Sequence, residues 1–90
     1  MTEKVDHKEL FEIVLKLKTI QDCEIFFDDL CTYKELDAMS QRVKAGKLLY
    51  EGATYEQIIK ETDISSATLS RVSKCVKYGE GYKKFLKEEK

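Results

Sequence analysis

Residues 63–74 read DISSATLSRVSK: four serines, a threonine, an arginine and a lysine, with no acid after Asp63. Short hydroxyl side chains are mediocre helix formers because they compete for backbone hydrogen bonds. Even so, Ile64, Leu69, Val72 and Val76 recur at helical intervals through the stretch. A helix built this way turns its apolar residues inward and presents a slim, cationic outer face. The chemistry that suits such a face is recognition of a nucleic-acid duplex. Small side chains at Ser66, Ala67 and Ser70 let the backbone come close, and the serine hydroxyls can bond bases or phosphates. Ala67 can meet a thymine methyl group, and Arg71 has the fork geometry for a guanine or a phosphate. Lys74 and Lys77, further along, suit phosphates, where each neutralised charge releases counterions. Ser65 and Thr68 complete the candidate DNA-binding set.

No other constellation competes with this one. His7 is the only histidine and has no spaced partner for general-base or metal chemistry. Cys23, Cys31 and Cys75 form no CxxC pair, and an odd count argues against a disulfide framework and for a reduced, cytoplasmic setting. Glycine-rich phosphate loops, nucleophile elbows and HExxH are absent from the sequence. The expectation is a protein that is not an enzyme and carries no cofactor or metal. No apolar run approaches the roughly 20 residues of a membrane span.

Charge is unevenly shared. The net charge is -1, but residues 1–37 carry five lysines and ten acids, whereas residues 38–90 carry eleven Lys/Arg and seven acids. A locally positive surface on a near-neutral chain suits a polyanion met by one face only.

The elements that must position this face read as helices throughout. Leu10, Phe11, Ile13, Val14, Leu15, Leu17 and Ile20 predict a first helix over about 6–20, apolar round more of its circumference than a small monomer covers. A shorter helix is expected over about 22–30. Thr32 and Glu35 form a capping-box pair opening a helix that runs to about Glu51 and stops at Gly52. Thr54 and Gln57 repeat the box before a helix of about 55–62. Asp63–Ile64 makes a turn, and Ser65 caps a helix of about 66–78 closed by Gly79. Gly81, Tyr82, Phe85 and Leu86 suggest one more short helix. Two capped helices round a tight turn form a helix-turn-helix, in which the second helix enters the major groove.

The stretch TYKELDAMSQRVKAGKLLYEG followed by ATYEQIIKETDISSATLSRVSK, residues 32–74, resembles the core of the Trp repressor superfamily, in particular its YerC/YecD branch of small bacterial proteins. The matching features are Thr32 opening a helix, Ala38 to Val43, Leu48–Leu49 before Gly52, Ala67–Thr68 and Ser70–Arg71. The resemblance implies an all-α fold of five to six helices spanning residues 1–90 as one domain. Dimerisation helices would occupy about 6–50 and the helix-turn-helix about 54–78. It also implies an intertwined homodimer that offers two recognition helices to successive major-groove turns. By the same likeness Thr32, Arg42 and Arg71 match residues that hold tryptophan in the family. Val72 stands where the family has a glycine beside the indole, and Cys75 where a serine takes the ligand's amine. A valine fills the ring's space and a thiol is a poor acceptor for an ammonium, so tryptophan is not expected as corepressor; another small effector remains open. Arg71 can clamp a ligand, read DNA, or pair with Glu61 or Asp63. Two functions are carried forward: a dimeric, sequence-specific transcriptional regulator, and a helical dimer that binds another protein and uses the helix-turn-helix only as architecture.

Overall fold

The computed structural model describes residues 4–87. These hold six helices and no strand: α1 His7–Val14, α2 Ile20–Leu30, α3 Tyr33–Tyr50, α4 Tyr55–Thr62, α5 Ser66–Tyr78 and α6 Glu80–Phe85. The chain divides into two compact units, residues 1–33 and 34–90.

In the first unit the expected helix over 6–20 is shorter and is followed by a turn. Asp6 caps α1 by accepting from the Lys8 amide at 3.0 Å. The helix stops at Val14 because a second start signal lies just beyond it. Thr19 accepts from the Asp22 amide at 3.0 Å, and the Asp22 carboxylate accepts from the Lys18 amide at 3.0 Å. This reciprocal cap fixes Thr19 in extended geometry, so α2 begins at Ile20 rather than at about 22. Neither α1 nor α2 contains a buried residue. Leu10, Phe11, Leu15, Ile20, Ile25 and Leu30 are all exposed in the single chain.

The second unit holds the core, made of Ala45, Ile58, Ile64, Leu69 and Val72, with Leu48, Leu49, Ala53, Val76 and Tyr82 packed round it. α3 ends in a Schellman motif: the Gly52 amide donates to Leu49 O at 3.1 Å and the Ala53 amide to Leu48 O at 3.0 Å. Gly52 has φ +91°, which a residue with a Cβ seldom adopts. The capping box of α4 is present as expected. Thr54 Oγ1 accepts from the Gln57 amide at 3.2 Å, while Gln57 Oε1 accepts from the Thr54 amide at 2.8 Å. α6 lies close against α3, where a Cβ added at Gly46 would come within 2.8 Å of Leu86 Cδ1. α3 also carries a second apolar stripe. Leu36, Met39 and Val43 lie three and four residues apart, away from the face that holds Ala45 and Leu49, and Val43 is exposed.

Candidate nucleic-acid interface

The site is built on α4, a three-residue turn and α5. Asp63 closes α4 in the left-handed region at φ 60°, ψ 16°, with its amide donating to Ile59 O at 2.9 Å. Asp is one of the few side-chain-bearing residues that visit this region readily. Ile64 then drops into the core, 2% exposed, and anchors the turn. Ser65 caps α5: its Oγ accepts from the Thr68 amide at 3.1 Å and donates to Thr68 Oγ1 at 2.9 Å. The turn is therefore held at both sides by hydrogen bonds and in the middle by apolar burial.

α5 divides cleanly. Leu69 and Val72 are buried and Val76 is half-buried, all on the inner face. Ser66, Ala67, Ser70, Arg71, Lys74 and Lys77 are exposed, and their spacing of three and four places Ala67, Ser70, Arg71 and Lys74 on one outer stripe. No acid occurs between Ile64 and Tyr78, so α5 offers no carboxylate to repel an approaching phosphate.

The hydroxyls, alike in the sequence, are placed differently. The Ser65 hydroxyl has both its acceptor and its donor function taken up by Thr68, which is itself half-buried. Ser66 and Ser70 are the exposed ones on the leading turns.

The residues matched to an effector pocket lie in several places. Thr32 is exposed, directly before α3. Arg42 is half-buried on α3 and Cys75 half-buried on α5. Val72 is 1% exposed and belongs to the core cluster with Ala45, Ile58, Ile64 and Leu69.

Three residues with a bearing on the site escaped the sequence reading. Tyr78 is 82% exposed and continues the outer stripe one turn beyond Lys74; spacing from Arg71 and Lys74 was signal enough. Gln41 Nε2 donates to Thr62 O at 2.9 Å, and Tyr50 Oη donates to Val76 O at 3.2 Å. Neither contact leaves a local sequence trace, because the partners are 21 and 26 residues apart.

A short capped helix, a turn plugged by a buried isoleucine and a second capped helix with a small, basic outer face define an all-helical helix-turn-helix protein. The sequence model of the family described as Trp repressor protein matches residues 6–90, and the chain belongs to the Trp repressor family. It is 46% identical over 71 residues to the uncharacterized protein YerC of Bacillus subtilis (strain 168), covering 79% of this chain and 68% of that one. A crystal structure of a candidate Trp repressor from Staphylococcus aureus superposes with a TM-score of 0.84 at 40% identity, covering 88% of this chain and 80% of the other. A TrpR-like protein from Eubacterium eligens ATCC 27750 gives 0.82 at 40% identity, with 86% and 80% covered.

Proposed function

We propose that the protein is a sequence-specific, DNA-binding transcriptional regulator that acts as a homodimer and does not use tryptophan as corepressor. The observation that carries this reading is the outer stripe of α5. Small and basic residues, all exposed, share one face of a helix that a fixed turn and a buried inner face hold rigidly on the body. On this reading Ala67, Ser66, Ser70 and Arg71 meet base edges, while Lys74 and Lys77 lie along phosphates. Ser65 and Thr68 act one step back, by fixing the start of the helix.

The dimer is supported by the apolar residues that a single chain leaves in water. α1 and α2 hold no fully buried residue, and α3 has an apolar stripe on the side away from the core. A second copy covers such faces at a gain of roughly 25 cal/mol per Å². Two copies also supply two recognition helices, spaced for half-sites about one helical turn apart. The reading without tryptophan rests on Val72. Its side chain is part of the core, so the space beside it is already filled by this chain. A different small effector is compatible with Arg42 and Cys75, which are only half-buried. The reduced thiols and the family's regulatory role support action in the cytoplasm, with no membrane partner.

Selection of bound sequences from random duplexes at low salt tests the proposal. Enrichment of a two-fold symmetric motif is the expected result. If nothing is retained even at low salt, where phosphate contacts are strongest, DNA reading is wrong. A protein partner recovered at fixed stoichiometry, with residues 66–77 dispensable for it, would then favour the interaction-module reading.

A further inference from the structure

The recognition unit is attached to α3 by two hydrogen bonds that resemble one another closely. At one end, Gln41 on α3 donates to Thr62 O, the last carbonyl of α4. At the other, Tyr50 at the end of α3 donates to Val76 O, in the last turn of α5. Both acceptors are among the final four carbonyls of a helix, which the helix itself leaves without amide partners. Gln41 and Tyr50 stand nine residues apart, about 13–14 Å along α3. The two contacts therefore hold the α4–α5 pair at well-separated points, one beside the turn and one at the far end of the recognition helix.

Thr62 strengthens the first point. Its Oγ1 donates to Ile58 O at 2.7 Å and accepts from the Ile64 amide at 3.2 Å, while its carbonyl receives Gln41. One residue thus joins the scaffold helix, the end of α4 and the buried plug of the turn. Apolar packing alone fixes how near α5 lies to α3 but resists rotation weakly, since core contacts are non-directional. Two directional bonds at separated points fix the angle.

We infer that Gln41 and Tyr50 are positioning residues for DNA recognition, setting the angle of α5 on α3 and through it the separation and orientation of the two recognition helices. The inference rests on the proposed reading as a DNA-binding homodimer. It assigns to the pair a part in specificity that touches no base: which spacing of half-sites the dimer accepts. The Gln41–Thr62 contact borders an open cleft lined by Asp37, Ser40, Lys44 and Glu61. Water reaches this place, so a carbonyl left behind by a lost donor is rehydrated and the fold survives the loss.

The test uses the full chain as wild type, Gln41→Met, Tyr50→Phe and the double variant. Each is measured against three duplexes: the site selected by the wild type, that site with its centre longer by one base pair, and an isolated half-site. Wild type should discriminate sharply against the altered spacing. Each single variant should lose about fivefold of that discrimination and the double variant more, as one net hydrogen bond per site implies. Half-site affinity should stay within about twofold, because the reading residues are untouched. Full spacing discrimination in the double variant would overturn the inference while leaving the DNA reading intact, and so would an equal loss on half-site and full site. If the wild type selects no duplex, the DNA reading falls and this inference with it. Circular dichroism checks each variant's fold; should Gln41→Met lose helicity, Tyr50→Phe, which removes a single hydroxyl, decides the matter alone.

Discussion

Ser65 and Ser66 are adjacent, both exposed and identical in type, yet only Ser65 caps α5, and the proposed function gives Ser66 a different part. In Ser65→Ala the Thr68 amide loses its acceptor at 3.1 Å and the Thr68 hydroxyl its donor at 2.9 Å. Loss of a serine cap costs about 1 kcal/mol, within a range of roughly 0.5–2. The hydroxyl's loss adds little, because Thr68 is half-exposed and water can replace the donor. In Ser66→Ala no core contact is removed, and alanine is the better helix former, so stability should stay within about 0.5 kcal/mol of wild type. Binding should separate the pair the other way. Ser65→Ala should keep the wild-type base preference, whereas Ser66→Ala should shift it at one position of each half-site. Urea unfolding at one fixed protein concentration measures the first contrast, with an unchanged m-value as the check that the same transition is followed. Sequence selection measures the second. Equal destabilisation by the two substitutions, or an altered base preference in Ser65→Ala alone, would refute the division of labour on α5.

Lys74→Ala should weaken binding to all duplexes alike and flatten the plot of log affinity against log salt by about 0.9 per chain; anisotropy titrations between low and moderate salt read this directly. L-Tryptophan should leave the melting temperature unchanged at any concentration, and a saturable rise would show an open pocket beside Val72 after all. Gly79 and Gly81 should respond with opposite signs to alanine. A Cβ at Gly79 would come within 2.7 Å of the Cys75 carbonyl oxygen, whereas one at Gly81 meets nothing within 4 Å. Thermal unfolding should therefore show Gly79→Ala destabilised by about 1–3 kcal/mol and Gly81→Ala stabilised by up to about 1 kcal/mol.

What could be read in advance follows the range of the interaction. α4 and α5 are found where expected, at Tyr55–Thr62 and Ser66–Tyr78, because Thr54, Gln57 and Ser65 act within four residues of themselves. The end of α3 at Gly52 is equally local. The end of α1 differs from the expected helix over about 6–20 for a local reason. Apolar periodicity continues through Leu15, Leu17 and Ile20, but the pair Thr19 and Asp22 offers a competing helix start that the periodicity masks. Gly46 drew no attention as a lone glycine within a helix; its reason lies about 40 residues away, in Leu86. Within the site, the small and basic stripe was legible from spacing. The separate fates of Ser65 and Ser66 depend on which hydroxyl falls at the cap, and the bonds of Gln41 and Tyr50 depend on tertiary approach.

α3 gives the proposal its internal logic. One face packs Ala45, Leu48 and Leu49 into the core of its own unit, and the other carries Leu36, Met39 and Val43 outward. A helix apolar on two sides is costly in water for a single chain, but it is what a scaffold needs if it must bind a second copy and carry a recognition unit at once. The charge pattern agrees with this arrangement. Acids dominate up to Asp37 and are absent between Ile64 and Tyr78, the helix assigned to phosphate; α3 is likewise free of acids from Ala38 to Tyr50. Val72 completes the argument. With valine in the core, α5 packs with Ala45 of α3 and Ile58 of α4 in one apolar cluster that needs no ligand to fill it. On the proposed reading, the place an indole would take beside Val72 is held by the protein's own core, and the angle of α5 is set by Gln41 and Tyr50 rather than by tryptophan.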